Sequence, residues 1–258
     1  MSSRISDKGG NQVTLIFGHR GSKGSCPENT LVSFRQAIVD GADGIETDVQ
    51  CSGDGALIIM HDEKVNRTTN GRGAIKQLSL EKLKALDAGS WFAPQFAGER
   101  IPTLQEVLNL LDQQHFTGVF NLEIKTDHTD YPGIEQKVIQ AMTQNKHTYQ
   151  VLYSSFNLTS LAQLKFYAPN AHLASLFKYS SRQTRKLTKA GTVVAWHPKL
   201  AWVKRHLKTI PAELAVRPWT VNSVPDLKYC FQANFAGLFT DYPKEALAIR
   251  EQECGRNA

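Results

Sequence analysis

Apolar residues follow two alternating patterns along this chain. Short β-rich apolar runs give way to stretches whose apolar positions repeat at helical spacing. The runs Val13–Phe17, Gly44–Val49, Ala56–Met60, Gly118–Ile124, Val151–Phe156, His172–Phe177, Thr192–Trp196, Ala215–Val221 and Gly237–Thr240 predict nine strands. Between them, Asn29–Asp40 sets Leu31, Phe34, Ala37 and Ile38 on one helical face, and Gly41 supplies a stop. Pro102–Gln113 does the same with Leu104, Val107, Leu108 and Leu111, opened by a capping box of Thr103 and Glu106. Helices are also predicted over Gly133–Gln144, Leu158–Tyr167 and Pro225–Gln232, with a basic helix-like stretch ending at Lys189.

Repeated strand–helix units imply a parallel sheet with right-handed crossovers. At this length eight of the strands close into an α/β TIM (β/α)8 barrel, and Thr192–Trp196 is expected to be a short piece outside it. A doubly wound open sheet is the alternative, but no GxGxxG or P-loop pattern opens a helix. Glu63–Glu99 breaks the rhythm with the turn Thr69-Asn70-Gly71 and the aromatics Trp91, Phe92 and Phe96. It reads as an insertion after the third strand, at the C-terminal mouth where barrel active sites lie. The expected organisation is a disordered tail over 1–12, one barrel domain over 13–250 and a C-terminal tail over 251–258.

Composition narrows the class. Of 258 residues, 41% are hydrophobic and 21% charged, which excludes a disordered or fibrous chain. A domain of this size buries enough surface to fold without disulfides or a structural metal. No apolar run reaches the roughly 18 residues of a membrane span, and polar Met1–Gln12 has no signal-peptide core. The cysteines Cys26, Cys51, Cys230 and Cys254 form no CxxC pair, so a reducing cytoplasm is the expected setting. The formal charge of +6 is mild. It suits an anionic small-molecule substrate, and no nucleic-acid or membrane partner is expected.

Candidate chemistry sits at strand ends. Four successive runs finish in His19-Arg20, Glu46-Thr47-Asp48, His61-Asp62 and Glu123-Ile124-Lys125. Residues two apart on a strand share a face, so Glu46 pairs with Asp48 and Glu123 with Lys125. Three carboxylates at one barrel mouth repel one another. One divalent cation relieves that, and an all-oxygen set favours Mg²⁺ or Ca²⁺ over Zn²⁺. Salt bridges to Arg20 and Lys125 would explain any single carboxylate, but not the whole set, because buried charge is costly. His19 and His61 suit proton transfer near neutral pH. Arg20 and Lys125 suit an anionic group. Together these residues describe a site for a phosphate ester.

The ordered motifs make the chain similar to a known family. It resembles the glycerophosphodiester phosphodiesterases in Gly18-His19-Arg20-Gly21, Pro27-Glu28-Asn29-Thr30, Glu46-Thr47-Asp48, His61-Asp62, Arg67-Thr68-Thr69-Asn70-Gly71, Glu123-Ile124-Lys125, Trp219-Thr220-Val221-Asn222 and Thr240-Asp241-Tyr242-Pro243. The likeness runs from Ile16 to Pro243. It implies a TIM barrel that hydrolyses diesters such as glycerophosphocholine or glycerophosphoethanolamine to glycerol 3-phosphate and an alcohol. It further implies metal binding by Glu46, Asp48 and Glu123, an acid/base pair of His19 and His61, and phosphate contacts from Arg20 and Lys125. Glu28 lies close to the site in that family, and Trp219 matches an aromatic of the pocket wall. Asn29 or Thr30 also reads as an N-cap. Arg67 and the turn after it read as scaffolding. Related barrels cleave lysophospholipids, for which Trp91, Phe92 and Phe96 would supply an apolar ramp.

Overall fold

A computed structural model describes residues 13–144 and 146–255. The expected N-terminal tail therefore lies outside the described residues. Eight parallel strands form the barrel wall: β1 (Leu15–Gly18), β2 (Gly44–Cys51), β4 (Val119–Ile124), β5 (Gln150–Ser155), β6 (His172–Phe177), β7 (Ala195–Pro198), β8 (Ala215–Val216) and β9 (Gly237–Thr240). Their order is β8-β7-β6-β5-β4-β2-β1-β9. The wall closes through the segment after β8, where Val221 N–H donates to the Phe239 carbonyl at 2.8 Å and Phe239 N–H to that of Pro218 at 3.0 Å. The remaining strand, β3 (Leu57–Ile59), pairs antiparallel with β2 and stands outside the barrel.

This corrects one expectation. The Thr192–Trp196 run is not the outlier: β7 starts at Ala195 and takes its place between β6 and β8. The connection from β2 to β3 explains which strand is excluded. Residues 52–56 suffice for a hairpin, whereas a parallel crossover needs about a dozen residues or more. The insertion follows the third strand in chain order, but that strand is no barrel stave. Predicted strand Ala215–Val221 is also shorter than its apolar run, because Pro218 cannot donate to a ladder.

Helices cover the wall: α1 (Leu31–Val39), α3 (Leu104–Gln113), α4 (Ile134–Thr143), α5 (Leu158–Tyr167), α6 (Arg182–Lys189), α7 (Leu200–His206), α8 (Val224–Gln232) and α9 (Pro243–Gly255). The Thr103–Glu106 capping box is formed at α3, whose Leu104, Val107, Leu108 and Leu111 are buried. Helix α9 runs to Gly255, into the stretch expected as a tail. No helix among the described residues is long and apolar enough to cross a membrane. Inside the barrel, Phe17, Val119, Leu152, Ala174, Ala195, Ala215 and Phe239 pack into an apolar plug. The insertion holds α2 (Leu80–Ala85), and its Val65, Ile75, Leu83 and Ala88 form a small core with Ile58, Met60 and Ile101 from the chain on either side of it. That core fastens the loop carrying His61 to Arg67 against the barrel mouth.

Candidate active site

The site begins with register. Asp48 on β2 stands opposite Glu123 on β4, and Glu46 opposite Asn121. Side chains of alternate residues share a face, so Glu46, Asp48 and Glu123 converge inside the wall. Their carboxylates are buried, each offering an oxygen within 4.8 Å of the others. The first βα turn supplies the next group. Arg20 has φ +54° and Gly21 φ +81°. A Cβ on Gly21 would meet Ser33 Oγ at 2.4 Å, so only glycine fits there. This turn lets Arg20 N–H donate to Glu46 Oε2 at 2.8 Å, while the guanidinium lies 3.4 Å from Asp48 Oδ2.

A cavity of about 760 Å³ opens over this cluster. His19, Arg20, Glu46, His61, Glu123, Lys125 and Trp219 all line it. Asp48 completes the acidic cluster, 1% exposed. Glu28, like Asp48, does not line the cavity and sits behind it. It is 5% exposed and accepts from Arg20 at 2.7 Å and from both terminal nitrogens of Arg67 at 2.8 Å. Its carboxylate therefore aims Arg20. Trp219 donates its indole N–H to the His197 carbonyl at 2.7 Å and meets Phe156 edge to face at 5.6 Å. Trp91, Phe92 and Phe96 pack on one another in the insertion, and none of them lines the cavity.

Each cavity histidine is held by a carboxylate. His19 Nδ1 is 2.6 Å from Asp241 Oδ1, and His61 Nδ1 is 2.8 Å from Asp62 Oδ1. A ring whose Nδ1–H is so engaged presents Nε2 for proton exchange. Asn222 donates to the other Asp241 oxygen at 2.8 Å, and Arg67 forks onto Asp62 at 2.7 and 2.9 Å. Arg67 thus clasps the partner of His61 and the partner of Arg20 at once. It is a positioning residue as well as scaffold.

Electrostatics follow from burial. Burial, then the neighbouring Asp48 and Glu123, push Glu46 well above the usual carboxylate range. Burial also raises Glu123, to about 7, although Lys125 Nζ lies 3.0 Å from it. Burial alone would raise Asp48, but His61, Arg20, Lys125 and the Asn29 amide hold it below its ordinary value. Burial and the Arg20 charge lower His19, against the pull of Asp241. Ionising the whole cluster at once is therefore costly without a cation among its oxygens. Asp48 Oδ1 is buried and accepts no hydrogen bond from the described residues. Three oxygen donors with an unsatisfied lone pair among them fit a hard divalent cation.

Asn29 and Asp241 serve the site although the sequence pattern assigns neither of them a place in it. Asn29 donates to Asp48 Oδ2 at 2.9 Å and accepts from Thr47 Oγ1 at 2.8 Å, so it locks two adjacent residues of β2. It does this from φ +57°, a conformation asparagine tolerates, and the N-cap of α1 is Thr30 instead. Asp241 was legible by the same rule that exposes Glu46 and Glu123, since it ends the strand Gly237–Thr240.

Fold and site together define a parallel-barrel hydrolase with a carboxylate–histidine centre at the C-terminal ends of its strands. Residues 19–245 match the glycerophosphoryl diester phosphodiesterase family. A glycerophosphodiester phosphodiesterase of Caldanaerobacter subterraneus is 40% identical over 249 residues, covering 92% of this chain and 97% of the relative. One from Bacillus altitudinis is 38% identical and covers 93% and 99%. The structure of an Oleispira antarctica phosphodiesterase, in complex with the product sn-glycerol-3-phosphate, superposes with a TM-score of 0.84 at 28% identity, over 93% of this chain and 97% of that one. The chain belongs to the glycerophosphoryl diester phosphodiesterase family and is an enzyme that hydrolyses glycerophosphodiesters.

Proposed function

We propose that this enzyme cleaves diesters such as glycerophosphocholine and glycerophosphoethanolamine to glycerol 3-phosphate and the free alcohol, with His19 and His61 as its acid/base pair. The observation that carries the reading is one cavity lined by two carboxylate-held imidazoles, two cations and two members of a buried three-carboxylate cluster. Glu46, Asp48 and Glu123 hold one divalent cation, Mg²⁺ or Ca²⁺. When bound, that ion supplies charge stabilisation for the phosphoryl oxygens and lowers the pKa of a coordinated hydroxyl. Arg20 and Lys125 bind the anionic phosphoryl group and resist its rotation. One imidazole takes a proton from the attacking hydroxyl at Nε2. The other gives a proton to the departing alcohol oxygen. Asp241 and Asp62 stabilise whichever ring is protonated. Trp219 and Phe156 wall off water on one side. Buried thiols at Cys26, Cys51 and Cys230 support a cytoplasmic setting.

The test is release of glycerol 3-phosphate from glycerophosphocholine, with EDTA and with Mg²⁺ or Ca²⁺ restored. Activity returns with the ion, and His19→Ala or His61→Ala lowers turnover by about 10²-fold or more. A folded double variant with near-wild-type turnover refutes the acid/base assignment.

A further inference from the structure

The charges of this chain are unevenly placed. From Gln136 to Ala212 there is no Asp or Glu, yet twelve Lys and Arg; the other residues hold 18 Lys and Arg against 24 Asp and Glu. This stretch builds β5, α5, β6, α6, β7 and α7, and its three strands are neighbours in the sheet. One sector of the barrel wall is therefore basic, and the rest of the chain is net acidic. Within it Lys178, Arg182, Arg185, Lys186 and Lys189 are exposed. Among the described residues, the sector's only Lys or Arg ion pair is Lys204 with Asp226. Its field is thus directed outward rather than cancelled locally.

The sector reaches the cavity after β5 and β6. Phe156, Leu176, Lys178, Tyr179, Ser181 and Thr184 line one side, and Lys178 is the only charged residue among them. The lining carboxylates Glu46, Glu63, Glu123 and Asp127 come from β2, the insertion and the β4 end. Asp127 already faces Lys125 at 3.9 Å and His128 at 3.3 Å. A quaternary ammonium is recognised by aromatic faces, and the cavity offers Phe156, Phe177, Tyr179, Trp219 and Phe239, with Tyr179 next in the chain to Lys178. Phe156 already has Lys125 Nζ 5.8 Å from its ring centre. A second cation at Phe156 meets Lys125, and the side of the cavity that the basic sector lines carries Lys178 and no carboxylate.

Resting on the proposed diester hydrolysis, we infer that the site selects glycerophosphodiesters of net negative charge, whose alcohol is an uncharged polyol, over zwitterionic choline and ethanolamine diesters. Lys178 is the specificity-determining residue. A net anion gains from the basic wall on approach and at the cavity rim, whereas a zwitterion brings a positive end to the same wall. The selection is electrostatic, so salt weakens it.

The experiment compares kcat/KM for glycerophosphoglycerol and glycerophosphocholine with cation-loaded enzyme, at about 20 mM and about 500 mM salt. Three proteins are used: wild type, Lys178→Glu, and Lys208→Glu, which makes the same charge change beyond the far end of α7. Wild type favours glycerophosphoglycerol by about tenfold at low salt and by about threefold or less at high salt. Lys178→Glu removes or reverses the preference, and Lys208→Glu keeps it. Equal turnover of the two diesters at low salt, or a choline preference, overturns the inference. So does a Lys178→Glu ratio equal to wild type, or an equal shift in Lys208→Glu. Hydrolysis of neither diester instead overturns the diester reading on which the inference rests.

Discussion

Arg67→Gln is the most informative single change outside the cavity. Arg67 donates to Glu28 from both terminal nitrogens and forks onto Asp62. Burial alone would raise the Glu28 carboxyl, but hydrogen bonds from Arg67 and the charge of Arg20 bring it from 4.5 down to about 2. That difference corresponds to about 3 kcal/mol of stability. The Glu28 side chain is 3% exposed, so solvent screens little of it. Arg67 shares the carboxylate with Arg20 and so accounts for roughly 1.5–2 kcal/mol of it. Its pair with Asp62 is far more exposed and contributes at most about 1 kcal/mol. Arg67→Gln therefore destabilises the enzyme by about 2–3 kcal/mol near neutral pH.

The pH dependence carries the sign of the argument. A depressed carboxylate stabilises the fold fully above its unfolded value of about 4.5. That stabilisation is lost as pH falls through about 2. Asp62 is also held below its ordinary value, by His61 and Arg67, and acts in the same direction. Urea unfolding of wild type and variant, from neutral pH down to about pH 2.5, measures this. The gap between them narrows below about pH 4.5. A gap that stays constant across the range refutes the reasoning. Turnover falls as well, by about 10–100-fold, because the partners of His61 and Arg20 lose their fixed geometry. Arg67→Lys restores charge but no planar fork, so it recovers stability more than turnover.

Two further outcomes follow from the site. Asp241→Asn lowers kcat by about 10²–10⁴-fold at nearly constant KM, because the amide no longer fixes the His19 tautomer; unchanged kcat in a folded variant refutes that role. Cation binding releases protons, since Glu46 is raised and Glu123 sits at about 7 in the metal-free cluster. Release is largest below about pH 7 and affinity tightens as pH rises through it; titration calorimetry in buffers of different ionisation enthalpy reads both, and zero release at about pH 6.5 refutes the protonated cluster.

The residues visible in the sequence are those that one strand can display alone. Glu46 and Asp48 lie two apart on β2, and Glu123 and Lys125 run along and past the end of β4, so period-two alternation alone puts each pair on one face. Register then brings the two strands together. Residues that act across elements left no such mark. Arg67 looks like loop chemistry until the insertion core folds its loop onto the mouth and sets it between Glu28 and Asp62. Asn29 looks like a cap until its left-handed backbone turns the amide toward Asp48. The misplaced ninth strand has the same origin. Apolar periodicity marks a strand without marking its partner, and only the five residues between β2 and β3 reveal a hairpin. Chain length between elements thus decides topology here. Contacts over long sequence separation decide which polar groups serve the reacting atoms and which only hold those that do. His19 and Asp241 are 222 residues apart, and the parallel pairing of β9 with β1 is what makes them one unit.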